Sequence, residues 1–93
     1  MKLRYTDTAL AEIDEILSYI AQDNPLAADE VAAILQATIR RVMDYPRLAT
    51  ETDDAEVRVL PVLPYRYLLF YSVRGDAIII RNLRHSARDR SGL

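Results

Sequence analysis

Tyr65-Arg66-Tyr67-Leu68-Leu69-Phe70-Tyr71-Ser72-Val73, a turn at Gly75-Asp76, and Ala77-Ile78-Ile79-Ile80-Arg81-Asn82-Leu83-Arg84-His85 together decide the fold. β-branched and aromatic residues dominate both arms, and glycine supplies the positive φ that a two-residue type II′ turn requires. The segment therefore predicts a tight β-hairpin. With Gly75 and Asp76 as the turn, Arg66 falls opposite His85, Leu68 opposite Leu83 and Phe70 opposite Arg81. Directly opposed residues share a face, so Arg66, Arg81 and His85 are expected along one side of the sheet. A three-residue loop would shift that register and break the cluster.

Upstream, the pattern turns helical. Lys2 to Tyr5 is a strand candidate, and Thr6-Asp7-Thr8 offers helix-capping side chains. Ala9, Leu10, Ile13, Ile16, Leu17 and Ile20 recur at helical spacing, with Glu12, Asp14, Glu15 and Ser18 expected toward solvent. Asn24-Pro25 marks a second start, since proline at the first helical position loses no hydrogen bond. The second helix runs to about Tyr45 on a stripe of Ala28, Val31, Leu35, Ile39, Val42 and Met43. Alanines at 27, 28, 32, 33 and 37 allow it to approach the first helix closely. Tyr45-Pro46 ends it, because the residue before proline is pushed out of the helical region. Residues 47–55 read as a polar loop, and Val57 to Val62 as an edge or bulged strand because of Pro61 and Pro64. The expected order is β-α-α-β-β-β. That is an α+β fold, with a helical hairpin packed on one face of a small, mainly antiparallel sheet.

A chain of 93 residues accommodates one domain, here 1–93 with a short tail from about residue 86. Without cysteine it has neither disulfides nor thiolate metal sites, which suits a reducing compartment. No apolar run has the length of a membrane span and no signal-peptide pattern opens the chain, so a cytoplasmic protein without membrane contact is expected.

The net charge of -2 hides an asymmetry. Acidic residues outnumber basic ones up to Glu56, whereas Arg58, Arg66, Arg74, Arg81, Arg84, Arg88 and Arg90 face only Asp76 and Asp89 from Val57 onward. Such a split points to one surface that meets an anionic or acidic partner. Arg66, Arg81, His85 and Arg88 on an open sheet face suit phosphate. Arginine forks match phosphate oxygens, and a histidine beside them exchanges protons near neutral pH. The plainer reading is that these arginines solubilise a face and that His85 merely ends a strand. Glu51 or Glu56 is the candidate second base. Tyr65, Tyr67 and Tyr71 alternate along one strand, which suits base stacking, but Tyr67 and Tyr71 are assigned to the core. One histidine and scattered carboxylates make no metal set, and two glycines make no phosphate loop. No cofactor is expected.

Several of these segments together resemble the RelE/ParE superfamily of bacterial type II toxins across nearly the whole chain. They are Leu10-x-x-Ile13-x-x-Ile16 with Tyr19-Ile20, the Asn24-Pro25 break, Val57-Arg58-Val59-Leu60, Tyr65 to Tyr71, and Ile80 to Asp89. The ending His85-x-x-Arg88-Asp89 resembles the ParE branch, whose members poison DNA gyrase. RelE-like members cleave mRNA in the ribosomal A site, with lysines and a C-terminal tyrosine beside arginines. Here the only lysine is Lys2, and Ser86 follows His85. Arg66, Arg81 and His85 match the arginine pair and histidine of nuclease members. The resemblance thus implies a gyrase inhibitor without chemistry of its own, with the ribosome-dependent endonuclease as alternative. It also implies a ParD-like antitoxin that wraps the toxin. Arg66, Arg81, Arg84, His85 and Arg88 are the expected contacts to target or antitoxin.

Overall fold

Thr6 closes a strand and opens a helix at the same point. In the computed structural model, which describes residues 1–54 and 56–86, its N–H donates to the Ile80 carbonyl at 3.0 Å. Its hydroxyl accepts from the Ala9 N–H at 3.0 Å and donates to the Arg81 carbonyl at 3.0 Å. Strand β1 (Lys2–Tyr5) is thereby fastened in parallel to the last strand, β5 (Ala77–His85), with Lys2 opposite Ala77 and Tyr5 opposite Ile80. The first helix, α1 (Asp7–Asp23), starts from that junction.

Asn24 joins the helices. Its N–H donates to the Ile20 carbonyl at 2.9 Å, closing α1, while its Oδ1 accepts from the Ala27 N–H at 3.1 Å, opening α2 (Pro25–Asp44). Pro25 occupies the first turn, as its missing N–H favours. The Tyr45 N–H, donating to the Arg41 carbonyl at 2.8 Å, caps the far end of α2. Ala28 is buried and Ala27 and Ala32 half-buried, whereas Ala33 and Ala37 are exposed and take no part in the helix contact.

Strands β2 (Thr50–Glu51), β3 (Val57–Val62), β4 (Tyr67–Arg74) and β5 complete a sheet of order β1-β5-β4-β3-β2. Only the β1–β5 pair is parallel. The helices cover one face. Ala9, Leu35, Ile39 and Val42 pack there on Leu60, Val62, Leu69, Tyr71, Ile78, Ile80 and Leu83. Tyr71 is fully buried and Tyr67 packs against the same cluster, as their alternation foretold.

Three expectations need correction. The polar stretch 47–55 contains β2, which pairs Thr50 with Val59 and Glu51 with Arg58. Arg58 holds it there, donating through Nη1 to the Ala49 carbonyl at 2.8 Å and through Nη2 to Glu51 Oε1 at 3.1 Å. Pro61 lies past that pairing, where β3 has no outer neighbour among the described residues and a missing N–H costs little. On α1, Leu10 is 52% exposed, while Glu12, expected in solvent, is half-buried against β5.

The third correction concerns register. Gly75 has φ 58° and the turn has two residues, with Arg74 opposite Ala77. Pairing holds to Tyr71↔Ile80 and then slips, so that Phe70 faces Asn82, Leu69 faces Leu83, Leu68 faces Arg84 and Tyr67 faces His85. Arg81 is the extra residue of a β-bulge. Strict alternation from Ile78 and Ile80 would send Leu83 to the wrong face; one additional residue returns it to the core. Ile78, Ile80 and Leu83 are accordingly all at most 2% exposed.

Tyr71 spans the core, donating its hydroxyl to the Pro46 carbonyl at 2.7 Å and tying the end of α2 to the sheet. Burial pushes its phenol above the ordinary value, partly offset by the Ala49 backbone and the charge of Arg58. Tyr71→Phe is expected to lower stability by about 1 kcal/mol near neutral pH, a typical net hydrogen-bond contribution. A raised phenol pKa stabilises the native state fully below the unfolded value of about 10, and that contribution is lost as pH rises through the folded value. Denaturant titrations should therefore show the gap between wild type and Tyr71→Phe narrowing above about pH 10.

Candidate functional site

The bulge divides the expected cluster between two faces. Arg81 lies on the face away from the helices, its Nη1 donating to Ser72 Oγ at 3.4 Å, with Ser72 only 1% exposed. His85 stands on the helix-facing side with Leu69 and Leu83. Its ring meets Tyr67 edge-on, with centroids 5.5 Å apart and planes at 86°. Arg66 precedes β4 in an exposed turn, and its carbonyl accepts from the Ser86 N–H at 2.7 Å, prolonging the β4–β5 ladder. The expected alignment of Arg66, Arg81 and His85 is thus not formed. Arg88 lies outside the described residues.

The candidate bases are also engaged elsewhere. Glu51 pairs with Arg58 at 3.1 Å, on the edge of the sheet opposite β1. Glu56 pairs with Arg74 at 2.9 Å, at the end of β4 remote from Tyr67 and His85. Among the described residues, no group of three or more His, Asp or Glu side chains converges to hold a metal ion.

What the sequence reading overlooked is the apolar character of the open face. Register and alternation place Val57, Val59 and Pro61 of β3, Leu68 and Phe70 of β4, and Ile79 of β5 there. No element among the described residues lies over them. Arg81 and Arg84 border this surface, and the Arg84 guanidinium carbon stands 5.9 Å above the centroid of Phe70. The signal was the run Leu68-Leu69-Phe70-Tyr71. A strand that is apolar at every position is apolar on both faces and needs cover on both.

Glu12 is the other residue that pattern reading misplaced. β1 stops pairing at Tyr5↔Ile80, which leaves the outer edge of β5 without a strand beyond that point. The Glu12 carboxylate reaches down from α1 to occupy it. Oε1 accepts from the Leu83 N–H at 3.1 Å and from Asn82 Nδ2 at 3.0 Å, and Oε2 lies 3.6 Å from Arg84 Nε. The glutamate side chain is 26% exposed. One helical carboxylate therefore aims the strand that carries Arg81, Arg84 and His85.

Residues 3–90 match the family described as the ParE toxin of the type II toxin-antitoxin system parDE. The chain is 38% identical over 87 residues to Toxin RelE2 of Caulobacter vibrioides, an alignment covering 90% of this chain and 93% of that relative. The chain belongs to the ParE toxin family. A second relative, Putative toxin Y4kP of Sinorhizobium fredii, is 29% identical over 79 residues, covering 85% of this chain and 82% of that one. Among solved structures, the fold of this ParE-family toxin matches a chain of the chromosomal ParDE system from P. aeruginosa. The TM-score is 0.78 at 18% identity, over 91% of this chain and 95% of the other. Two helices on a mixed five-stranded sheet are thus the common architecture.

Glu12→Ala is expected to lower the stability of the ParE-family toxin by about 1–3 kcal/mol, the scale for stranding a buried backbone donor. Hydrogen exchange should accelerate at the Leu83 amide while the β3–β4 amides stay protected.

Proposed function

We propose that this ParE-family toxin acts without chemistry of its own. In this reading it inhibits DNA gyrase through the open sheet face and the C-terminal arm of β5, and a cognate ParD-like antitoxin in the cytoplasm neutralises it. The observation that carries this reading is the separation of His85 from Arg81 by the sheet. A general acid or base must come within hydrogen-bond reach of the proton it moves. A phosphate held by Arg81 on the open face is out of reach of an imidazole on the helix side. What the open face does offer is an apolar centre with an arginine border. That composition suits a protein surface, where a dry centre supplies affinity and the charged rim supplies rate and orientation. The same border suits an acidic antitoxin segment.

The runner-up is ribosome-dependent mRNA cleavage, favoured by the Caulobacter relative's being called Toxin RelE2. The two readings part on two measurements. Purified toxin added to gyrase with ATP and relaxed plasmid should block supercoiling and trap linear DNA. His85→Ala should leave that inhibition nearly intact, and truncation from Arg84 onward should abolish it. Loss of ribosomal mRNA cleavage by about two to four orders of magnitude in His85→Ala, the scale of a proton-transfer group, together with silence in the gyrase assay, would favour the nuclease.

A further inference from the structure

The basic border of the open face extends beyond Arg81 and Arg84. β1 contributes to it, because Lys2 pairs with Ala77 and Arg4 with Ile79, positions that alternate away from the buried Ile78 and Ile80. Thr6, the next residue, bonds to the Ile80 and Arg81 carbonyls, so Arg81 stands level with the end of β1. Lys2, Arg4 and Arg81 therefore form a row along one margin of the sheet, rising about 7 Å at each two-residue step.

This row lacks acidic partners. Arg58, Arg74 and Arg84 each meet a carboxylate, from Glu51, Glu56 and Glu12 respectively. Among the described residues, Lys2, Arg4 and Arg81 are held in no ion pair. Negative charge gathers in the other layer, where every charged residue of α1 is acidic: Asp7, Glu12, Asp14, Glu15 and Asp23. The molecule is thus electrically two-sided. A polyanion is steered toward the open face and turned away from the helices.

We infer that the row Lys2, Arg4 and Arg81 binds the phosphate backbone of duplex DNA, while the apolar strip of β3 and β4 beside it meets protein. This rests on the gyrase reading above and makes the DNA held by that enzyme a second partner of the same face. Cations repeated along a strand suit successive phosphates, and each such contact releases condensed counterions. A sheet margin puts neither a helix nor a ribbon into a groove, so the contact positions the protein without reading sequence. Single-stranded RNA fits this face less well, because its recognition relies on aromatic platforms for unstacked bases. Tyr67 and Tyr71 belong to the helix-side core, and the ring of Phe70 lies under the Arg84 guanidinium.

The test measures binding of purified toxin to a short fluorescent DNA duplex across a range of salt concentrations. The expected slope of log affinity against log salt is about −3, from three neutralised phosphates at about −0.9 each. Lys2→Gln with Arg4→Gln should bring the slope to about −1 and weaken binding by about tenfold or more at low salt. The charge-matched pair Arg40→Gln with Arg41→Gln, on α2 in the other layer, should leave the slope unchanged. All four side chains are exposed, so both variants should keep the wild-type circular dichroism. In the supercoiling assay, Lys2→Gln with Arg4→Gln should raise the toxin concentration for half-inhibition by about tenfold. Inhibition of gyrase by a toxin that does not bind the duplex, or whose salt slope ignores Lys2 and Arg4, overturns the inference and leaves the gyrase reading standing. Tighter binding of a single-stranded RNA of the same length also overturns it. Duplex binding with the expected slope but no effect on gyrase keeps the DNA contact and overturns the gyrase reading.

Discussion

One extra residue in the last strand organises this molecule. Leu83 must join Ile78 and Ile80 in the core, yet it sits an odd number of positions away from both Ile80 and the alternation they set. The bulge at Arg81 resolves the conflict, and much else follows from it. The Arg81 carbonyl becomes the acceptor for the Thr6 hydroxyl, which starts α1 beside β5. The strand beyond the bulge leaves β1 behind, and Glu12 takes over its exposed edge. His85 is turned toward Tyr67 on the helix side while Arg81 stays with Ser72 on the other. A local answer to a packing problem thus sets which chemical groups share a face.

This is also where sequence reading reached its limit. The helical hairpin was legible because its signals are local: a threonine cap, Asn24-Pro25, Tyr45-Pro46 and an apolar stripe between them. The β4–β5 turn was legible for the same reason, since Gly75 states its own requirement for positive φ. The bulge was written in the spacing Ile78-x-Ile80-x-x-Leu83, but it reads as a bulge only once both ends are known to be buried. β2 left no trace, because two residues carry no period and the guanidinium that holds them is supplied by Arg58 from the neighbouring strand. Glu12 was lost for a similar reason. A carboxylate at a polar position of an amphipathic helix gives no hint that a distant backbone N–H waits for it.

The sheet that results has two different chemistries. Toward the helices it is a sealed core crossed by the buried Tyr71 hydroxyl. Away from them it is apolar in the middle and basic at the margin, and nothing among the described residues covers it. That face has the composition of a protein-binding surface, with an apolar centre and a charged rim. No helix among the described residues is long and apolar enough to cross a membrane.

Asn24 carries a consequence of another kind. Because a single side chain and its own N–H terminate one helix and begin the next, the joint contains no slack. Inserting one residue there would turn α2 by about 100° relative to α1, given 3.6 residues per turn. Val31, Leu35, Ile39 and Val42 would swing out of the core together. Changes in chain length must be absorbed elsewhere, as in the polar stretch between α2 and β3. The relative rotation of the two helices is therefore set at a single residue, Asn24.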